Sequence, residues 1–215
     1  LNLETEDRMT VFSSNSETLL IEDLASRPVV SALRRFSAPV TLKLEEEPTD
    51  RLVRARYDHD PYNRWEAFNS IAKDFLVTVA SRELHDRTEP VSAEYLEAIS
   101  ETITDETLDH AFRALVLELP SERAILQSIK TQGDPDRIHG AKIKLIDAIG
   151  HHLASDALLL VDELSGLETG SLDGHAAANR ALKNELLSLL CRIGNEEGGD
   201  RCQKQFYSTT NMTDK

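Results

Sequence analysis

Apolar residues follow two different rhythms along this chain. From Asp60 onward they recur every three or four positions, whereas before residue 48 they alternate with polar neighbours in short runs. The strongest helical period is Trp65, Phe68, Ile71, Ala72, Phe75, Leu76 and Val79, which makes one continuous apolar face. Asp60 suits the N-cap of that helix, because its carboxylate can accept from the free amides of the first turn. Pro61 suits the first helical position, where no amide hydrogen is needed. The pattern predicts helices at about 61–83, 91–102, 105–118, 121–131, 135–154, 155–164 and 176–193, with a last one near 200–208. A short helix capped by Thr49 or Asp50 is expected through about Tyr57. Asp134-Pro135 repeats the device of Asp60-Pro61, Leu119-Pro120-Ser121 ends one helix and starts the next, and Gly194 is placed just beyond a helix end.

Short helices in series with short connections predict antiparallel helix pairs. Stacked, such pairs give a mainly α superhelical array of HEAT or armadillo type, although no sequence repeat is plain. Residues 1–47 read instead as strands: Leu1 and Leu3, Met9 and Val11, Val29 and Val30, then Val40, Leu42 and Leu44. Pro28 and Pro39 fit strand ends, because each lacks a ladder donor. Three or four strands are too few for an independent sandwich. Their apolar face needs further strands, a neighbouring chain or the helical part to cover it. The division expected is therefore 1–47, the end of a β-sandwich domain, and 48–215, the first half of a helical domain, with Glu45-Glu46-Glu47-Pro48 as a solvated boundary. Ser165 to Gly174 and Glu196-Glu197-Gly198-Gly199 are expected to be weakly structured.

Two blocks carry a resemblance. Asp60-Pro61-Tyr62-Asn63-Arg64-Trp65-Glu66-Ala67, preceded by Arg35-Phe36-Ser37-Ala38-Pro39-Val40, resembles the aminopeptidase N family, the zinc metallo-aminopeptidases of bacterial type. A weaker match is Lys204-Gln205-Phe206 followed by Asn211-Met212-Thr213-Asp214. The stretch from about Ser81 to Gly199 matches mainly in pattern, and the span from Asn15 to Arg27 is longer than the family's usual turn. The resemblance implies that Phe36-Ser37-Ala38-Pro39-Val40 is the last strand of a small Ig-like β-sandwich and that Asp60 opens the C-terminal helical domain. It implies a parent hydrolase that removes single residues from peptide N-termini with one zinc ion. In such an enzyme the helical bowl covers the active site and restricts entry. The family's metal motif, H-E-x-x-H with a downstream Glu, is absent from these 215 residues. The segment is accordingly expected to be inactive and to bind no zinc itself. No catalytic or metal-binding residue is assigned to it, and its partners would be the catalytic and β-sandwich domains of the same parent chain. The start at Leu1, without an initiator Met, and the stop after Thr213-Asp214 are read as marks of an internal piece.

Composition narrows the alternatives. There are 38 acidic against 24 basic residues, a net charge of −14, which argues against nucleic acid and anionic membrane surfaces as partners. No apolar run approaches a membrane span and no signal region opens the chain. Cys191 and Cys202, the two cysteines, do not make a disulfide framework, so a reducing compartment, by default the cytoplasm, is expected. Cys191, at the end of an apolar helix, reads as core filler rather than nucleophile.

The remaining chemistry is sparse. His151-His152 with Asp156 is the obvious metal suspect, but a site needs three or four converging ligands. The other histidines (His59, His85, His110, His139 and His175) have no matching partner, so helix-end histidines near a C-terminal dipole are the favoured reading. No phosphate loop, calcium loop or nucleophile elbow occurs. Arg64 and Trp65 admit substrate contact or a structural role, and the structural role is favoured: a buried Trp beside an Arg paired with Asp60 or with strand carbonyls. The residues expected to pin the domain junction are Phe36, Pro39, Asp60, Arg64 and Trp65. The alternative to the peptidase reading is an acidic helical-repeat scaffold that binds a protein partner.

Overall fold

The computed structural model of the chain describes residues 9–22, 24–81, 89–129, 133–167, 171 and 173–209. The pair Leu1 and Leu3, His85, the tip of the loop before Gly174 and Asn211 to Asp214 lie outside them. Eight α-helices stand among the described residues: α1 Pro48–Tyr57, α2 Pro61–Ser81, α3 Ala93–Thr104, α4 His110–Leu117, α5 Glu122–Leu126, α6 Pro135–Gly166, α7 Gly174–Arg192 and α8 Glu196–Ser208. The fold is mainly α, as expected.

No strand forms among the described residues, and the expected β part is not there. An extended run becomes a strand only when a neighbour takes up its backbone hydrogen bonds. The backbone bonds of the region before α1 are local turns instead, Ser37 N to Arg34 O and Val40 N to Ala38 O. Many of its apolar side chains stay in solvent, with Met9 94% and Val11 77% exposed, while Val29, Leu33 and Leu44 are half-buried. Phe36 to Val40, expected as a strand, begins on the last residue of a 3-10 turn, Arg34–Phe36, and continues through a bend centred on Pro39.

Most helix starts follow their cap residues. Ser92, Asp109, Ser121, Asp134, Asp173 and Asn195 each accept from a first-turn amide. Helix α1 starts earlier than Thr49 or Asp50 would place it: Glu47 is its N-cap, Pro48 opens it, and Asp50 reaches back to the Glu47 amide at 3.4 Å. Helix α7 ends in a full Schellman turn, with Asn195 N bonded to Leu190 O at 3.0 Å and Gly194 N to Cys191 O at 3.1 Å. Gly194 has φ 69°, a left-handed conformation that suits glycine. Glu196 to Gly199, expected as a weak point, is the first turn of α8.

The largest departure is α6. The two helices expected at 135–154 and 155–164 are one helix of 32 residues. Ser155 and Asp156 do not interrupt it, because the buried stripe runs through them unbroken: Ile138, Ala141, Leu145, Ile149, Leu153, Ala157, Val161 and Leu164. Each fully buried Leu or Ile adds about 2 kcal/mol, more than a capping alternative offers.

Packing follows a repeat-like plan. Helix α1 runs back along α2, with Arg51 paired to Asp74 and Arg54 within 3.6 Å of Glu66. Helix α3 lies along α6 in the same direction: Glu97 meets His152 at 3.7 Å and Ser100 meets Asp156 at 3.0 Å. Helix α4 lies against α7, and α1 and α2 contact α3 and α4. Successive hairpins therefore stack with like helix against like helix, burying a shared core that no single hairpin could bury. The N-terminal half of α6 also packs on α2, with Lys144 6.0 Å from the centre of the Phe75 ring.

Candidate functional site at the Asp60–Trp65 junction

The loop between α1 and α2 gathers most of the residues singled out from sequence. Asp60 is buried and accepts two backbone amides: Asn63 N on Oδ1 at 3.0 Å, and Arg35 N on Oδ2 at 2.8 Å. The first caps α2 as expected. The second ties the chain before α1 to the same carboxylate. Leu33, Arg35 and Phe36 all have φ near +55° (56°, 54° and 54°), a conformation costly for residues with a Cβ. Burial alone would raise the Asp60 pKa, but the amides of Asn63, Arg35 and Tyr62 and the charge of Arg34 together hold it below its ordinary value. Asn63 adds a second tie, donating from Nδ2 to Ser31 Oγ and Ala32 O, both at 2.9 Å.

Arg64 does not pair with Asp60 or with strand carbonyls, contrary to expectation. It starts one residue past the amide cluster, on the far side of the turn, and reaches inward. Its Nε donates to Ala55 O at 2.8 Å, a carbonyl of the last turn of α1, and its Nη2 donates to Thr102 Oγ1 at 3.1 Å on α3. The guanidinium also sits 5.5 Å from the Phe112 ring centre on α4. One side chain thus links α1, α2, α3 and α4. Arg113 reinforces the same place, donating from Nε to Ile103 O at 2.7 Å while almost fully buried. Burial lowers the pKa of both arginines, opposed by nearby carboxylates that include Asp105 in each case. Two cations thus stand at the C-terminal end of α3, where the helix dipole is negative.

Trp65 is partly buried rather than buried, packed against the core. Its outer side continues into an aromatic strip: Trp65 to Tyr62 at 5.7 Å between ring centres, then Tyr62 to Phe36 at 4.7 Å. Phe36 ends the strip with 72% of its surface exposed, and Pro39 is exposed beyond it. Asp60, Arg64, Trp65 and Phe36 are therefore brought together, while Pro39 stands outside the cluster.

Sequence reasoning missed a second knot beside the first. Glu46, taken for part of a solvated run, is largely covered. It receives a two-pronged bond from Arg54, Nε at 3.1 Å and Nη2 at 2.8 Å, and an ion pair from Arg51 at 3.1 Å. The signal was available in Arg51-x-x-Arg54, which puts two forks on one helix face just after an acidic run. Cys191, expected in the core, is exposed.

Most of these groups satisfy one another, although Arg113 Nη2 and Asp58 Oδ2 are buried without a hydrogen-bond partner among the described residues. The junction presents donors, acceptors and packing, with no nucleophile beside a base. His151 is exposed, and His152 is paired with Glu97 on α3 rather than turned toward other ligands. Among the described residues no three His, Cys, Asp or Glu side chains converge on a metal position, and none of the described helices is long and apolar enough to cross a membrane.

Stacked hairpins around a continuous core, with arginines bridging successive helices, define an armadillo-type helical-repeat domain. Residues 48–215 match the family described as "Domain of unknown function (DUF3458_C) ARM repeats". The chain belongs to this family and is homologous to the C-terminal region of aminopeptidase N. It is 34% identical over 197 residues to aminopeptidase N of Caulobacter vibrioides, covering 92% of this chain and 22% of that protein. It is 26% identical over 200 residues to aminopeptidase N of Escherichia coli K12, with the same two coverages, 92% and 22%. The crystal structure of Legionella pneumophila aminopeptidase A in complex with aspartic acid shares the fold, with a TM-score of 0.69 at 22% identity, over 85% of this chain and 22% of that one. The chain thus spans about a fifth of the length of these relatives.

Proposed function

We propose that this chain is a non-catalytic helical portion of a zinc aminopeptidase that removes N-terminal residues from peptides. In the complete enzyme it forms part of the cap over the active site. The observation that carries this reading is the 34% identity to Caulobacter aminopeptidase N along 92% of this chain but only 22% of that protein. The chain's own residues do not fit a catalytic zinc: the sequence contains no H-E-x-x-H, and none of the described donors cluster in threes. The metal and its general base belong to other parts of such an enzyme, and this chain's contribution is shape. Its stacked helix pairs continue as a curved superhelical array that narrows the entry to peptides and unstructured chain ends.

The junction residues Phe36, Asp60, Arg64 and Trp65 take a positioning role in this reading, whereas Pro39, outside the cluster, takes none. Asp60 and Arg64 fix the α1–α2 turn, and the Phe36–Tyr62–Trp65 strip is the face that meets a neighbouring domain of the same parent chain. Two features support that placement: the family match starts at residue 48, and the apolar side chains of the preceding segment lie uncovered.

The test is reconstitution. The upstream remainder of a related aminopeptidase N, made separately with zinc, is mixed with this chain and assayed on aminoacyl-amide reporters. We expect this chain to hydrolyse nothing alone, to form a one-to-one complex with the upstream portion, and to change that portion's preference between short reporters and long peptides. Zinc-dependent turnover by this chain alone, or no association with the upstream portion, overturns the reading.

A further inference from the structure

Residues 31–36, which end in the 3-10 turn, are held to the helical body at one place. Asp60 Oδ2 accepts the Arg35 amide at 2.8 Å. Asn63 Nδ2 donates to Ser31 Oγ and to Ala32 O, both at 2.9 Å. The Phe36 ring lies against Tyr62, with 4.7 Å between centres, and Arg34 Nη2 stands 3.9 Å from Asp58 Oδ1. This last tie is incomplete, because Asp58 Oδ2 is buried with no hydrogen-bond partner among the described residues. Every holding group named lies between Asp58 and Asn63, in the α1–α2 turn and the first turn of α2. The segment itself brings little apolar burial: no residue of the 3-10 turn is buried, and Phe36 is largely exposed. Its backbone works against the ties, since Leu33, Arg35 and Phe36 are all left-handed without being glycine. Few buried contacts and a strained backbone are the marks of a unit that opens before the rest of a fold.

We propose that residues 31–36 form a latch that opens as a unit while helices α1–α8 stay folded. Closed, it fixes the direction in which the leading segment leaves the body and lays Phe36 against Tyr62. Open, it releases that segment and uncovers Tyr62 beside Trp65. Two features keep the opening local. The two oxygens of Asp60 have separate duties: Oδ1 caps α2 through Asn63 N, so the helix start survives the release of Arg35 N from Oδ2. Further along the chain, Glu46 is gripped by Arg51 and Arg54, so the release stops short of α1. The latch goes beyond the peptidase reading and does not rest on it.

Native-state amide exchange on the full chain, resolved by residue, tests this. We expect the wild-type Arg35 amide to exchange through an opening that low urea barely accelerates, because little surface is exposed, while buried residues of α6 respond steeply. Asn63→Ala removes two of the ties and leaves the backbone amide that caps α2. It should speed exchange at Arg35 about tenfold with an unchanged circular dichroism spectrum. Arg35→Gly relieves one left-handed residue at an exposed position, and it should slow exchange at Ser37, whose amide donates to Arg34 O, about threefold. Trypsin gives a second readout: cleavage after Arg34 under native conditions should be about tenfold faster in Asn63→Ala than in wild type and leave a helical fragment. A wild-type Arg35 amide with the same urea dependence as α6 overturns the proposal without any variant. So do unchanged rates in Asn63→Ala, or faster exchange at Ser37 in Arg35→Gly.

Discussion

At the residue scale the junction is governed by a few polar side chains that each serve two elements. Asp60 caps α2 and also holds the amide of Arg35. Removing the carboxylate in Asp60→Ala leaves both amides short of an acceptor, and we expect a loss of about 2 kcal/mol in unfolding free energy, measured by urea titration. Asp60→Asn should lose less, since its carbonyl can still accept from Asn63. The pH dependence has a definite sign. The folded Asp60 pKa lies below the ordinary carboxylate value of 3.8, so its contribution is fully present above that value. It is lost as pH falls through the lower folded value, and the acid limb of the stability curve should be shallower in Asp60→Asn than in wild type. The capping role of Asp60 was legible in the sequence because it is local, with Asn63 N three residues on, whereas its bond from Arg35 N, 25 residues back, was not. The partners of Arg64 were not legible, because Ala55 O and Thr102 Oγ1 are brought near by packing of three helices. The covered state of Glu46 was hidden for the same reason, since acidic runs in isolation are solvated.

At the element scale, helix existence was legible and helix continuity was not. The stripes on α6 and α7 repeat at helical spacing and are buried where the pattern puts them, and on α2 Phe68, Ala72, Leu76 and Val79 are buried while Trp65, Ile71 and Phe75 are partly buried at its edge. The expected break at residue 155 is absent because both halves share one apolar stripe and no proline intervenes. The strand expectation failed differently. Alternation marks a face that could pair, yet pairing needs a partner edge, and the described chain supplies none to residues 9–47. Close helix contact gives a further prediction. An alanine at Gly198 would drive its Cβ to 2.4 Å from Leu190 Cβ, where Leu190 is fully buried and has no room to yield. Gly198→Ala should therefore cost about 1–3 kcal/mol despite alanine's better helix propensity, and thermal melts followed by circular dichroism will read it. Hydrogen exchange should quicken first in α8.

At the scale of the whole molecule, a well-packed helical body carries an uncovered leading segment. Residues 9–20 are exposed throughout, including Phe12 and Leu20. A cluster of this kind on a folded protein invites association. Removing residues 1–22 should leave the helical signal and the thermal midpoint unchanged while lowering the fluorescence of a bound hydrophobic dye. A large fall in the midpoint would show instead that the segment supports the helices.

One feature of the body shapes how it comes apart. Helix α6 is a single rod of 32 residues, about 48 Å long, and α2, α3, α5 and α7 all rest on it. In a loose stack, end units can peel away like cards while the rest stands. Here each card is pinned to the same axle. Melting should therefore be concerted, with a steep single transition where a modular array would fray by degrees.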